Sequence, residues 1–221
     1  AELAHSIGAL LVVDNSLLSP AGSQPLKHGA DISVSSATKA IDGHGRVMGG
    51  VLAGSEELMT QVAIYCNSCG LAMSPFNAWE LLSGIETIGI RMEKQFDNAL
   101  KIAQWLQQQP QVQAVYYTGL PDHPQAELIR KQQNGGGIVI GFEVADQEAA
   151  WKVVDGVELF SRTANLGDVR STITHPWTTT HGRMQPEEKL AANIRPGLIR
   201  LSVGLEHIDD LIDDLQQALN K

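Results

Sequence analysis

Cysteine is nearly absent from this chain. Its 221 residues include two, Cys66 and Cys69, in a single CNSC run. No second cysteine pair or suitably spaced histidine stands nearby, so the ligand set of a zinc site is not made. A redox CxxC pair of the thioredoxin kind would follow a strand, whereas this one follows a helical pattern. The lack of a cysteine framework fits a reducing cytoplasm. Positive charge is also short: 16 Lys and Arg stand against 25 Asp and Glu, a net charge of −9. That balance argues against nucleic acid and anionic membranes as partners, because both call for basic patches. No apolar run reaches the roughly 18 residues of a spanning helix. Ala9–Val13 is apolar but lacks the basic flank of a secretory signal. No internal repeat or low-complexity segment occurs. The initiator methionine is missing too. Ala1–Ile7 reads as the end of an amphipathic helix, with Leu3 and Ile7 four apart and Gly8 as the stop. The chain is therefore expected to be a fragment that begins inside a βαβ unit.

What is present is an ordinary globular profile, 43% hydrophobic and 19% charged. Ala9–Val13, ending in Asp14-Asn15, has the pattern of a parallel strand buried on both faces. Ser19–Gly22 reads as a turn, Asp31–Ser36 as a second strand and Val47–Ala53 as a third. Ser55 caps a helix from Glu56. Ser74-Pro75 opens a long helix whose apolar residues recur at Leu81, Ile85, Ile88, Met92, Phe96, Ala99, Ala103 and Leu106, ending before Pro110. The pattern fits a bridge between domains and a core helix equally well. Beyond Pro110 come shorter elements. Strands are predicted at 112–117, 137–144, 171–174 and 198–203, and helices at 125–132, 146–154, 186–192 and 207–219. Asp209, Asp210, Asp213 and Asp214 read as the solvated face of the last helix. The expected class is α/β: part of a large domain over 1–109, then a smaller α+β domain over 110–221, divided near Gln108–Gln111.

The chemistry concentrates between Val12 and Gly50. An acidic residue, Asp14, ends one apolar run, while Ser35, Ser36, Thr38 and Lys39 end the next. Open α/β sheets bind ligands at such strand ends. A lysine in a partly desolvated site suits Schiff-base chemistry. A carboxylate can keep a pyridinium nitrogen protonated, and hydroxyls can hold a phosphate. These residue types together fit pyridoxal phosphate (PLP). Singly, Asp14 also reads as a cap and Lys39 as a surface lysine. The other histidines and glycines make weaker patterns. His175 and His181 are six apart, which is not a helical metal pair, and Asn134–Gly137 precedes a strand, as a turn or bulge does. Trp79 and Trp105 read as core or interface anchors.

The run VVDNSLLSPAGSQPLKHGADISVSSATKAIDGHGRVMGG resembles the Cys/Met-metabolism family of PLP-dependent enzymes. SPFNAWELLSGIETI, NLGD, THPWTTTHGRM with the following PEE, and LIRLSVGLE are similar to the family in the same order, over nearly the whole chain. The resemblance implies a PLP fold-type I large domain followed by the smaller C-terminal domain. It implies Lys39 as the Schiff-base lysine and proton shuttle, with Asp14 at the pyridinium nitrogen and Ser36 and Thr38 at the phosphate. It places Arg200 on the substrate carboxylate with Asn165 near it, where spacing alone leaves Arg200 as a structural salt bridge. No metal is implied. The IDGHGRVMGG, NLGD and THPWTTTHGRM segments look most like the branch that joins sulfide to O-succinylhomoserine, a γ-replacement giving homocysteine in methionine biosynthesis. A cystathionine γ-synthase, a cystathionine lyase or an inactive truncated interaction subunit are the alternatives. A small amino-acid substrate, a cytoplasmic setting and a homo-oligomer built as a dimer of dimers are also implied. Three positions depart from the family pattern: Ala40 for an aromatic, Ser35 for a histidine, and Trp177 for a small residue, where it would narrow the entrance. The family's N-terminal half, with its phosphate loop and stacking tyrosine, is not in this sequence.

Overall fold

A computed structural model describes residues 1–221. Two sheets are built along the chain, with one long helix between them in sequence. The first sheet has three strands in the order β1 (Val12–Asp14), β2 (Ile32–Ser36) and β3 (Gly50–Gly54). β1 runs parallel to β2, with Asp14 opposite Val34, and β3 runs antiparallel, with Gly50 opposite Ser36. The expectation of a first strand buried on both faces is not met, because Val12 is 53% exposed. β1 is an edge strand of a three-stranded sheet, so one side of its ladder has no neighbouring strand. The preceding helix α1 (Glu2–Ser6) likewise leaves Leu3 and Ile7 uncovered, although Gly8 ends it at φ +72° as its position predicts. Ser19–Gly22, expected as a turn, closes into a one-turn helix, α2.

Helix α3 (Glu56–Cys69) starts on the Ser55 cap, whose Oγ accepts from Leu58 N, and ends at Gly70 in the left-handed conformation. The CNSC pair occupies its last turn, with both cysteines as free thiols. Helix α4 (Pro75–Leu106) is 32 residues long and has Pro75 in its first turn. Its start packs Leu81 with Ala37, Ile41 and Val47. Its end packs Ala99, Ile102, Ala103 and Leu106 into the core of the second sheet. Trp105 borders that core, whereas Trp79 stands largely exposed beside Phe76.

The second sheet contains β4 (Ala114–Tyr116), β5 (Val139–Glu143), β6 (Ser161–Arg162), β7 (Thr172–Thr174) and β8 (Leu198–Ser202), in the order β4-β5-β8-β7-β6. All pairings are antiparallel except β6 with β7. The two-residue β6 is too short to leave a periodic signal. The remaining helices are α5 (Ala126–Gln132), α6 (Gln147–Gly156), α7 (Pro186–Ala191) and α8 (Ile208–Leu219). Ile140, Phe142, Ile173, Ile199 and Leu201 pack against Ala150 and Val153 of α6 and Leu211 and Leu215 of α8. Ile199 and Leu201 are fully buried in this core. Strand alternation therefore turns Arg200, between them, to the opposite face.

The acidic face of α8 needs one correction. Asp214 is buried, and its carboxylate accepts from the N–H groups of Glu158, Leu159 and Phe160 at 2.7–3.1 Å. A carboxylate on the flank of an amphipathic helix looks solvated in sequence. Here it satisfies three backbone donors of the chain that leaves α6. No helix is long and apolar enough to cross a membrane.

Candidate active site

Lys39 sits in a wide π-type turn, Ala37–Ile41, that follows β2 directly, and its own ψ of −126° breaks the helical path. Ala37, Ala40 and Ile41 are buried while Lys39 is half-buried, so the turn is anchored by its small and apolar residues and leaves the lysine partly open. Lys39 has no ion-pair partner, whereas nearby Arg46 holds both Asp42 and Glu80. Burial works to raise the Asp42 carboxyl. The Arg46 N–H and guanidinium and the His44 N–H outweigh it and hold Asp42 below the usual carboxylate range.

The parallel pairing of β1 and β2 sets Asp14 beside the end of β2. Ser16 Oγ accepts from Ser36 N at 2.8 Å, which joins the two strand ends. Ser16, through its hydroxyl and then its N–H at 2.9 Å, holds the Asp14 carboxyl below its ordinary range. Asp14 lines an open cleft of about 610 Å³ between this strand end and Gly136–Val139. The Thr38 hydroxyl is engaged in both directions by Gly49, accepting from its N–H at 3.0 Å and donating to its carbonyl at 3.3 Å. Its first task is to pin the start of β3 to the lysine turn.

Arg200 reaches the loop that carries Asn165. Arg200 Nη2 donates to Ala164 O at 2.7 Å, and Thr172 Oγ1 donates to Asn165 O at 2.8 Å. Burial lowers the Arg200 guanidinium from its ordinary value, and its Nε is buried with no acceptor in the protein. A buried N–H left unpaired is costly unless a ligand satisfies it. The loop that carries Asn165 reaches the lysine at Gly167. A Cβ placed on Gly167 would lie 2.8 Å from Ala40 N, 2.9 Å from the Lys39 carbonyl carbon and 3.0 Å from Lys39 Cα. Val169 N donates to Gly43 O at 2.7 Å, a second stitch between the same segments. The fold thus gathers Asp14, Ser36, Thr38 and Lys39 on one wall and brings the Asn165 loop and the Arg200 strand against it.

His175 is buried in the HPWTTT segment. Its ring nitrogens contact Thr178 Oγ1 and Pro196 O at 2.8 and 2.7 Å, and Trp151 Nε1 approaches at 3.2 Å. Trp177 lies under Lys189, whose Nζ is 4.7 Å from the ring centroid. Arg91, Gln95 and Asn98 of α4 also belong to this region. They are buried polar residues that the apolar period of the helix assigns to solvent, so periodicity alone does not reveal them.

Known proteins resemble this chain along nearly its whole length. A family profile described as "Cys/Met metabolism PLP-dependent enzyme" matches residues 1–220. The chain is 51% identical to an O-succinylhomoserine sulfhydrylase from Pseudomonas aeruginosa, covering 99% of this chain and 55% of that protein. It is 44% identical to the chloroplastic cystathionine β-lyase of Arabidopsis thaliana, covering 98% of this chain and 47% of that protein. A crystal structure of cystathionine γ-synthase from Xanthomonas oryzae pv. oryzae, in complex with aminoacrylate and cysteine, superposes with a TM-score of 0.95 at 41% identity, over 99% of this chain and 57% of that one. The chain thus spans about half the length of the curated relatives it matches.

Proposed function

Because the chain belongs to the Cys/Met-metabolism family of PLP-dependent enzymes, we propose that it contributes the lysine and the substrate-carboxylate clamp for a γ-replacement on an O-acylhomoserine. The acyl group is succinyl and the incoming nucleophile is sulfide. The products are homocysteine and the free carboxylic acid. Support for this substrate comes from the 51% identity to an O-succinylhomoserine sulfhydrylase.

One observation carries the reading. Arg200 presents a buried, unpartnered Nε while its Nη2 holds the loop that touches Lys39. A guanidinium fork with one free arm fits a substrate carboxylate. The donor set also fits the cofactor. Asp14, kept ionised by Ser16, would face the ring nitrogen. Ser36, whose N–H is already satisfied by Ser16, would turn its hydroxyl to the phosphate, and Thr38 would join it by turning its hydroxyl proton away from Gly49 O. Lys39 would hold the group through its ε-amine. Bound PLP supplies an electron sink for charge that develops on the substrate carbons. Lys39 Nζ takes the proton from the substrate Cα and moves protons between neighbouring carbons. Arg200 and Asn165 keep the carboxylate, and with it the Cα–H bond, aimed at that amine. The apolar side chains left open on α4, among them Phe76, Trp79, Leu82 and Ile90, support an assembly in which a second copy covers that face.

Borohydride reduction of the PLP-loaded protein should leave a pyridoxyl label on Lys39. Its absence overturns the assignment. Assays with O-succinylhomoserine and either sulfide or cysteine should favour sulfide. Preference for cysteine would make the protein a cystathionine-forming enzyme instead.

A further inference from the structure

Three polar side chains, Arg91, Gln95 and Asn98, are buried along one face of α4, spaced four and then three residues apart. Arg91 gives N–H groups to the lysine turn, and Gln95 and Asn98 give theirs to the segments that follow Asn165 and Arg200. Arg91 Nη1 and Nη2 donate to Ala40 O and Ile41 O, the two carbonyls after Lys39, at 2.9 and 3.1 Å. Its remaining bonds, to Gly84 O and Thr87 Oγ1, lock it to its own helix. Gln95 Nε2 donates to Asp168 O at 2.9 Å and Val203 O at 2.8 Å. One amide group thereby ties the loop three residues after Asn165 to the strand end three residues after Arg200. Asn98 Nδ2 extends the same grip to Gly204 O and Glu206 O at 3.1 and 3.0 Å. The donors of the two amides are fully used, while Gln95 Oε1 and Asn98 Oδ1 are buried without partners. Unpaired buried carbonyls carry a desolvation cost, so the register held by the donors offsets a local loss.

We propose that Arg91, Gln95 and Asn98 are positioning residues: a polar ladder on one rigid helix that sets the Lys39 amine in register with the Arg200 guanidinium. The proposal rests on the roles given above to Lys39 and Arg200. The two ends of the ladder act on different walls. Without the Gln95 donor, Asp168 O and Val203 O lose their common tie, and the Asn165 loop and Arg200 strand shift while Lys39 stays on Arg91. Without the Arg91 fork, the lysine turn shifts while the clamp stays on Gln95 and Asn98.

The test is a split between two variants of the PLP-loaded protein. Gln95→Met should raise KM for the amino-acid substrate about tenfold and weaken a non-reacting amino acid by a similar factor, with the borohydride label on Lys39 retained. Arg91→Lys should displace the pH profile of cofactor absorbance and lower the yield of label, with affinity for the non-reacting amino acid kept within about twofold. If both variants lose cofactor and substrate affinity in parallel with melting temperature, the ladder is a structural brace and the proposal fails. Should Gln95→Met not fold, Gln95→Glu serves. A protonated carboxyl can donate one of the lost bonds, so KM should recover as pH falls, and a KM that does not recover overturns the proposal. An unsubstituted protein that takes no label refutes the cofactor assignment itself, whereas failure of the ladder alone leaves that label intact.

Discussion

Gly167 rests on the backbone of Lys39 with no room for a Cβ, at a φ of +84° that itself favours glycine. Two constraints coincide at one residue, and the contact joins the Asn165 loop to the lysine turn. Gly167→Ala should therefore cost about 1–2 kcal/mol in stability from the left-handed backbone alone. The larger effect should be on kcat, because the new methyl can be accommodated only by moving Lys39 or the Asn165 loop. A denaturant midpoint measured beside kcat separates the two.

Arg200→Ala should weaken the amino-acid substrate roughly hundredfold while PLP affinity changes little. The guanidinium leans on Ala164 O and has no other protein acceptor, so its removal leaves no buried carboxylate behind. Calorimetric titration of PLP and of a non-reacting amino acid into the variant checks both halves. Loss of PLP instead would make Arg200 structural.

Asp214→Ala should destabilise the protein by about 3 kcal/mol, since three backbone N–H groups at the exit of α6 lose one charged acceptor. Asp214→Asn should be milder, because the amide oxygen still accepts while its NH2 faces donors. Urea unfolding measures both. Neutralising Asp210 or Asp213, which accept no such bonds, should change stability by less than about 0.5 kcal/mol.

His175 should make stability depend on pH. Burial, more than any other influence, lowers its pKa from the ordinary 6.5, against the raising effect of the Pro196 carbonyl and with Lys189 adding to the lowering. The unfolded chain therefore binds the proton more readily than the folded one. The stability His175 contributes is full above pH 6.5 and is lost as pH falls from there toward its lower folded value. Urea midpoints between pH 8 and pH 5 should fall for the parent and fall less for His175→Gln, which cannot titrate.

The strand ends around Lys39 were legible in sequence because their signals are local. An apolar run ending in Asp14 and another ending in Ser36, Thr38 and Lys39 put polar chemistry at strand ends, and the strands form there. The long helix was legible from Pro75 and from its 3.6-residue period. What was missed depends on partners distant in sequence. Asp214 and Glu158 lie 56 residues apart, and Gln95 and Val203 lie 108 apart, so nothing in their neighbourhoods marks them as buried. The apolar period of α4 also misplaced Ile85, which shares a helix face with buried Leu81 and Met92 yet is 48% exposed, since no core cluster reaches it. Alternation and period report how much apolar surface an element has, not whether another element arrives to cover it. That is why Val12 and Leu3 read as core and stand open.

Helix α4 carries one further consequence. Its first half packs with the lysine turn and its last half with the five-stranded sheet, over a single unbroken run of backbone hydrogen bonds. A segment shared by two cores cannot unravel for one without loosening the other. The amides in its middle turns should thus report global rather than local opening in hydrogen exchange. Cooperativity between the two sheets is then a property of this one helix, and an insertion of a single residue between Leu81 and Ala99 would rotate one half against the other by about 100°.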